Sequence, residues 1–167
     1  FVYSGNSKMI IDLRGNPGGY LESAVDASSW FLPIGKTVVR EKFGNGEENL
    51  FKSKGYNIFD NLPLAILVNE GSASASEIMA GALREHNVAK LVGAKTFGKG
   101  SVQELIEITP QTSLKITIAK WLTPSGISIS DQGLEPDFKV EITKKDIELE
   151  NDPQMEKAVE IVNNWKK

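Results

Sequence analysis

The amino-acid sequence predicts an α/β fold in which a mostly parallel sheet is covered by helices. Two segments carry this prediction, because each is a short apolar strand followed by a glycine- or serine-rich loop and then by a helix. Strands that alternate with helices favour a parallel sheet whose site lies in the loops at the carboxyl ends of the strands. The length of 167 residues suits one domain with a substantial buried core.

The first strand-helix unit lies near the amino end. Met9 to Leu13 is a short, mostly apolar run, which predicts a buried strand. A glycine- and proline-containing loop follows it at Arg14 to Gly19. Apolar or small residues then recur at steps of three and four from Tyr20 to Phe31, which predicts a helix that ends before Pro33.

The second unit is clearer in the sequence. Leu64 to Val68 is a continuous apolar strand, and Ser74 to Arg84 carries apolar residues along one helical face. Between the two units, the segments Thr37 to Phe43 and Leu50 to Ser53 flank a glycine-containing polar stretch and predict an exposed hairpin. Because both units contribute strands to one parallel sheet, we expect their loops to lie beside each other at one edge.

The second half of the chain predicts further strands and a terminal helix. Four strands are expected, at Ala89 to Val92, Val102 to Ile108, Leu114 to Ala119 and Phe138 to Ile142. The residues 109–112 predict a turn between two of these strands. A helix is expected from Pro153 to Trp165, with Asp152 as its N-cap.

Composition excludes several classes of function. The net charge is −3 with both signs interspersed, which gives no electrostatic case for a nucleic-acid or anionic-membrane partner. The absence of cysteine excludes thiol catalysis, disulfides and thiolate metal sites. His86 is the single histidine, which excludes a multi-histidine metal site and leaves one imidazole as a base. No cofactor is predicted.

Three serines alternate with alanine where the second strand turns into its helix, at Ser72, Ser74 and Ser76. Backbone N–H groups at a helix start are free to bind a developing oxyanion, so a nucleophile suits this place. The alternative is that one of these serines only caps the helix, with Glu77 completing a capping box three residues after Ser74.

A serine nucleophile needs a base, and lysine is the known alternative to histidine. His86 follows the polar end of the second helix, where a solvated or helix-terminal role is expected. Lys99 lies between two glycines that allow close backbone approach. As a base, its pKa must fall from about 10.4 towards about 7 to 8, which requires an apolar, water-poor pocket.

If the chain continues from Lys99 as a strand, Ser101 and Gln103 share its face, and Gln103 is placed to orient the amine. The alternative is a glycine-lysine-glycine turn followed by an exposed strand residue at Gln103. The loop that ends at Gly19 is a candidate second oxyanion donor, and Arg14 is a candidate brace for that loop. The loop lacks the spacing of a nucleotide phosphate site.

Three segments, Asp12 to Gly19, Gly71 to Glu77 and Thr96 to Gln103, resemble in order and spacing the motifs of the carboxy-terminal processing (tail-specific) peptidases. The segments Gly133 to Asp137 and 152–162 are also similar to later parts of that family, so the resemblance covers nearly the whole chain. The fold it implies is a spiral of ββα units of the crotonase and Clp-protease type.

The resemblance also implies site residues and a function. Ser74 matches the family's nucleophile, Lys99 its base and Gln103 its supporting glutamine, while the backbone amides of Gly19 and Ala75 match its oxyanion donors. The implied activity is serine endopeptidase cleavage of protein tails or partly unfolded chains through an acyl-enzyme. The family acts outside the cytoplasm, in the periplasm or cell envelope, on protein or peptide substrates.

Members of this family usually carry a PDZ domain and an opening strand and helix before the motif at Asp12. Neither is visible, so residues 1–167 are interpreted as a catalytic-core fragment with an incomplete substrate groove. Missing sheet neighbours would leave an exposed edge or force self-association into a homo-oligomer.

Two alternatives come from other classes of function. A binding or scaffold module would keep the fold without turnover, and intact Ser74, Lys99 and Gln103 argue against it. Acyl-CoA chemistry would rest on fold analogy alone and predicts CoA binding.

Overall fold

The computed structural model describes residues 1–130 and 132–165. Within them, the strands are β1 (Met9–Asp12), β2 (Thr37–Phe43), β3 (Glu48–Lys52), β4 (Leu64–Val68), β5 (Lys90–Gly93), β6 (Ser101–Thr109), β7 (Thr112–Leu122) and β8 (Phe138–Lys139). The helices are α1 (Leu21–Ser29), α2 (Ala75–Glu85), α3 (Lys144–Glu148) and α4 (Pro153–Asn163), and a single 3₁₀ turn lies at Val2–Ser4. None of the helices in these ranges is long and apolar enough to span a membrane.

The parallel sheet has the strand order β1-β4-β5-β8 and is covered by helices on both faces. The continuous apolar strand β4 lies inside it, and all five of its residues are fully buried. Leu64, Ile66 and Val68 pack in the main core with α1 and α2. Ala65 and Leu67 face the other way, into a smaller cluster with α4. The predicted α/β class and its helix-covered parallel sheet are confirmed.

A second, antiparallel sheet has the strand order β3-β2-β7-β6 and consists of two hairpins. One is the predicted hairpin between the two strand-helix units. The other joins β6 and β7 through a tight turn, and a connection that short can link only antiparallel neighbours. β2, β3, β6 and β7, which short turns connect in pairs, therefore form a sheet separate from the parallel one.

Near the carboxyl end, the elements differ from the predicted bounds. The last strand stops at Lys139, and α4 ends at Asn163. The short helix α3 was not predicted, although Thr143 and Asp146 form a capping box at its start. A threonine followed three residues later by an acidic residue is the signal that would have found this helix.

The central position of β4 predicts a large energetic cost for truncation there. Ile66→Ala should lower the free energy of unfolding by about 2 to 5 kcal/mol, because it leaves a cavity that neighbouring side chains cannot fill. Urea denaturation measures the change. The matched control is Ile58→Ala, whose side chain is exposed and whose loss should cost less than about 0.5 kcal/mol. Equal losses at the two positions would contradict the assignment of this core.

Candidate active site

The loops after β1 and β4 lie against each other, as the sequence predicted. The Ala73 amide donates a hydrogen bond to the Asn16 carbonyl at 3.0 Å. The hydroxyl of Ser72, which is fully buried, donates to the Leu13 carbonyl at 2.7 Å. Ser72 is therefore a structural residue that joins the two loops, and it is not available as a nucleophile.

Ser74 precedes the first residue of α2 and has a strained backbone, with φ 56° and ψ −118°. For a residue with a Cβ this conformation costs about 1 to 3 kcal/mol and persists only where surrounding contacts enforce it. One such contact comes from Gly18, whose φ is +88°. A Cβ at Gly18 would lie 2.4 Å from the Ala73 carbonyl oxygen and 2.7 Å from the Ala75 nitrogen. Only glycine fits there, since any side chain would push the two loops apart.

The contact that organises the site is made by Glu77, which is fully buried in α2. Its Oε2 accepts hydrogen bonds from the backbone amides of Ser74 and Lys99, each at 2.9 Å. Its Oε1 accepts from the Gly98 amide at 2.7 Å and from the Thr96 hydroxyl at 2.5 Å. Because one oxygen binds both, the backbone nitrogens of Ser74 and Lys99 lie at most twice 2.9 Å apart.

These four donors explain why a carboxylate is tolerated in this core. A buried carboxylate is costly unless its lone pairs are satisfied, and two oxygens offer about four acceptor sites. The bond from the Ser74 amide to Glu77 is one of the two hydrogen bonds of the capping box that the sequence suggested. The bonds from residues 96–99 were not foreseen, and they convert a helix cap into a link between the two candidate catalytic loops.

Lys99 and Gln103 have side chains that lie in solvent in this structure. The Lys99 side chain is exposed and makes no hydrogen bond or ion pair with any other residue in the described ranges. Gln103 is an exposed residue of β6. The water-poor pocket expected around Lys99 is therefore not formed by the described part of the chain. The structure brings together the backbones of Ser74 and Lys99 and leaves the lysine and glutamine side chains uncovered.

Gly19 and Ala75 border one cavity of about 300 Å³ at the start of α2. Neither backbone amide donates a hydrogen bond to another residue in the described ranges. The cavity wall includes the apolar side chains of Leu13, Ala24 and Met79. Two unpaired N–H groups next to an apolar recess can bind the oxygen of a carbonyl whose neighbouring side chain fills that recess.

His86 lies at the opposite end of α2 from Ser74, about 18 Å away along the helix axis. Its Nε2 is 2.7 Å from the Thr37 carbonyl oxygen. The helix-terminal role expected for His86 is thus confirmed, and a serine-histidine pair is excluded. Residues 1–130 and 132–165 contain no group of three or more acidic or histidine side chains placed to bind a metal.

Arg14 ties the loop after β1 to the start of α4. Its guanidinium binds both carboxylate oxygens of Asp12 and both of Asp152, at 2.7 to 3.2 Å, and also Gln154 Oε1 at 3.1 Å. Hydrogen bonding from Arg14 lowers the pKa of both aspartates below the usual value. Arg14 therefore braces the loop that ends at Gly19.

With this geometry in place, comparison with known proteins identifies the family. The model of the peptidase family S41 matches residues 3–140. The chain belongs to peptidase family S41. The predicted resemblance to processing peptidases is confirmed at this level.

Similar relatives include probable CtpA-like serine proteases of staphylococci. The Staphylococcus aureus (strain COL) protein is 45% identical over 141 residues, which cover 84% of this chain and 28% of that protein. The Staphylococcus haemolyticus protein is 44% identical over 137 residues, covering 81% of this chain and again 28% of its own length. The chain thus spans little more than a quarter of the curated relatives it matches.

Solved structures agree on the fold. The photosystem II D1 C-terminal processing protease is 31% identical, with a TM-score of 0.79 over 84% of this chain and 36% of that chain. Mature CPAF is 16% identical, with a TM-score of 0.78 over 99% of this chain and 46% of that chain, which supports the fold alone.

The role of Glu77 can be tested by an isosteric change. Glu77→Gln replaces one acceptor oxygen with an NH₂ group that faces existing donors, so it should lower the free energy of unfolding by about 2 to 4 kcal/mol. The control is Glu22→Gln, an exposed helix residue, which should change it by less than about 0.5 kcal/mol. Urea denaturation compares the two. Similar small effects would show that Glu77 does not hold the loops.

The Arg14 cluster predicts a pH-dependent contribution to stability. The pKa of Asp152 is lowered in the folded state, so its contribution is present above the unfolded value of 3.8 and is lost as pH falls through the folded value. Asp152→Asn keeps a good N-cap residue but removes the charge. Thermal unfolding should show the variant less stable at pH 7, with the difference shrinking as the pH falls below 3.8. A difference independent of pH would contradict this account.

Proposed function

We propose that this protein is a serine endopeptidase in which Ser74 is the nucleophile and Lys99 the base. The observation that carries the proposal is that one oxygen of Glu77 accepts hydrogen bonds from the backbone amides of both residues, which keeps the two residues close together. Membership of peptidase family S41 supports the same chemistry. The free amides of Gly19 and Ala75 supply the oxyanion donors.

The reaction follows from these positions. The neutral amine of Lys99 takes the proton of the Ser74 hydroxyl as its oxygen attacks the peptide carbonyl carbon. The carbonyl oxygen becomes an oxyanion and accepts hydrogen bonds from the Gly19 and Ala75 amides. The carbon–nitrogen bond then breaks, the leaving amine takes the proton from the Lys99 ammonium, and an acyl-Ser74 ester remains. Water, deprotonated by Lys99, hydrolyses that ester.

The exposure of Lys99 sets a condition on this mechanism. An amine in water is protonated at neutral pH and cannot act as a base. Exclusion of water from Lys99 must therefore come from bound substrate or from further parts of a longer chain, and Gln103 would then orient the amine. A carboxamide suits that task because, unlike a carboxylate, it does not stabilise the ammonium.

The proposed substrates are protein tails or partly unfolded chains. The curated relatives are named as serine proteases, and one solved relative is named as a C-terminal processing protease. The cavity beside Ala75 has mostly apolar walls, which suits an apolar side chain next to the cleaved bond. The family resemblance also supports a location outside the cytoplasm and a PDZ domain elsewhere in the full protein.

A catalytically silent binding module is the second candidate. The solvent-exposed side chains of Lys99 and Gln103 favour it, because neither makes a hydrogen bond to Ser74 among the described residues. A serine-directed probe distinguishes the two, since only an activated serine reacts with it.

Labelling by a fluorophosphonate probe tests the proposed dyad. The full-length protein should be labelled, and the rate, measured from pH 6 to 10, should rise with pH because the reaction needs a neutral amine as base. Ser74→Ala and Lys99→Ala should each abolish labelling while leaving the thermal unfolding midpoint nearly unchanged. Lys95→Ala is the control, because Lys95 lies in the same loop but pairs with Glu135, and it should label normally. Normal labelling of Lys99→Ala would exclude Lys99 as the base, and an unlabelled full-length protein would favour the binding module.

A further inference from the structure

Strand β6 has one free edge. It is the terminal strand of the antiparallel sheet and pairs only with β7. No backbone group of residues 101–109 bonds to a described residue outside the β6–β7 hairpin. An edge of this kind presents a row of N–H and C=O groups that can pair with another extended chain.

One face of the β6–β7 hairpin is apolar and uncovered. Ile106 lies opposite Leu114 in the ladder, and Ile116 is two residues further along the same strand, so the three share a face. Their exposed fractions are 38%, 51% and 37%. Val102 lies four residues before Ile106 on that face and packs against the main core. The apolar face is therefore a continuation of the core side of the sheet, interrupted on β6 only by Glu104.

This edge runs directly into the candidate active site. β6 begins two residues after Lys99, whose amide binds the same Glu77 oxygen as Ser74. Phe97, two residues before Lys99, has a side chain that is 66% exposed although its amide is fixed to the Ser72 carbonyl at 3.0 Å. Exposed apolar residues therefore lie both beside the candidate active site and along β6.

We propose that the free edge of β6 binds the substrate as an added strand, so that the substrate is an extended, apolar stretch of polypeptide and not a folded surface loop. Backbone pairing supplies binding that is largely independent of sequence, and alternate apolar side chains of the peptide pack on the face of Ile106. A peptide so bound also covers the region next to Lys99 and removes water from it. The inference rests on the proposed function for its site, but it can be tested without catalysis.

Hydrogen-deuterium exchange of the full-length Ser74→Ala variant provides the test. The probe is a synthetic decapeptide in which valine alternates with threonine between terminal lysines. The peptide should slow amide exchange in residues 101–109. Strand β3 is the internal control, because it is the other edge of the same sheet and should show no change. Equal protection of β3, or none in 101–109, would overturn the inference.

Backbone pairing has a second signature. In an added strand only alternate residues bond to the neighbouring edge, so methylating the valine nitrogens and methylating the threonine nitrogens must have opposite effects. One modified peptide should lose protection of 101–109 and the other should keep it. Loss or retention with both peptides would contradict strand addition.

A pair of variants tests the apolar face. Ile106→Lys should weaken binding of the unmodified decapeptide about ten-fold, because it places a charge under the bound side chains. Leu50→Lys makes the same change on exposed β3 and should leave affinity within about two-fold. Equal affinities for the two variants would exclude the β6 face.

The outcomes separate this inference from the proposed catalysis. Protection of 101–109 in a protein that no fluorophosphonate labels would support the strand and contradict the peptidase. Labelling of Ser74 in a protein whose residues 101–109 are not protected by the peptide would support the peptidase and contradict the added strand. Protection that appears without peptide and increases with protein concentration would assign the edge to a second copy of the chain and overturn the inference.

Discussion

The carboxylate of Glu77 is the contact on which the candidate active site depends. It is fully buried, and its four hydrogen bonds come from the Ser74 amide and from residues 96–99. Each bond to a buried charge is worth more than a neutral one, and an unsatisfied carboxylate there would be strongly destabilising. Folding of α2 therefore fixes the position of two loops that are more than ten residues apart in sequence.

Other unusual features of the site follow from this constraint. Ser74 is held in a backbone conformation that residues with a side chain rarely adopt, and its amide is bound by Glu77 on one side while Gly18 packs against its neighbours on the other. Arg14 fixes the loop after β1 against the start of α4. These contacts fix the backbone around Ser74, which is one half of the proposed site. In the other half, Lys99 is exposed and the strand β6 that follows it has a free edge.

The sequence predicted those parts of the structure that depend on local pattern. The bounds of β4 were predicted correctly, because a five-residue apolar run between polar loops has few other interpretations. The hydrogen bond between Ser74 and Glu77 could also be predicted from the sequence, because the two residues are one helical turn apart. The bonds from Thr96, Gly98 and Lys99 to Glu77 are long-range and leave no periodic trace, although an acidic residue beside the apolar Ile78 and Met79 was a signal of burial.

The environment of Lys99 could not be predicted from the sequence. A role as base requires a water-poor pocket, whereas the side chain is exposed. The chemistry demanded a dry pocket, but the pattern around Lys99 does not identify the residues that would enclose it. The antiparallel sheet was likewise underestimated, because its strands read individually like those of the parallel sheet and only the tight turns distinguish them.

A crystal structure of the full-length protein after reaction with a phosphonate tests the central claim most directly. The account predicts phosphorus bonded to Ser74 Oγ, a phosphoryl oxygen within hydrogen-bond distance of the Gly19 and Ala75 amides, and Lys99 Nζ within about 2.6 to 3.2 Å of Ser74 Oγ. Glu77 should keep its four bonds. An adduct on another residue, or a lysine that remains in solvent beside a modified Ser74, would contradict it.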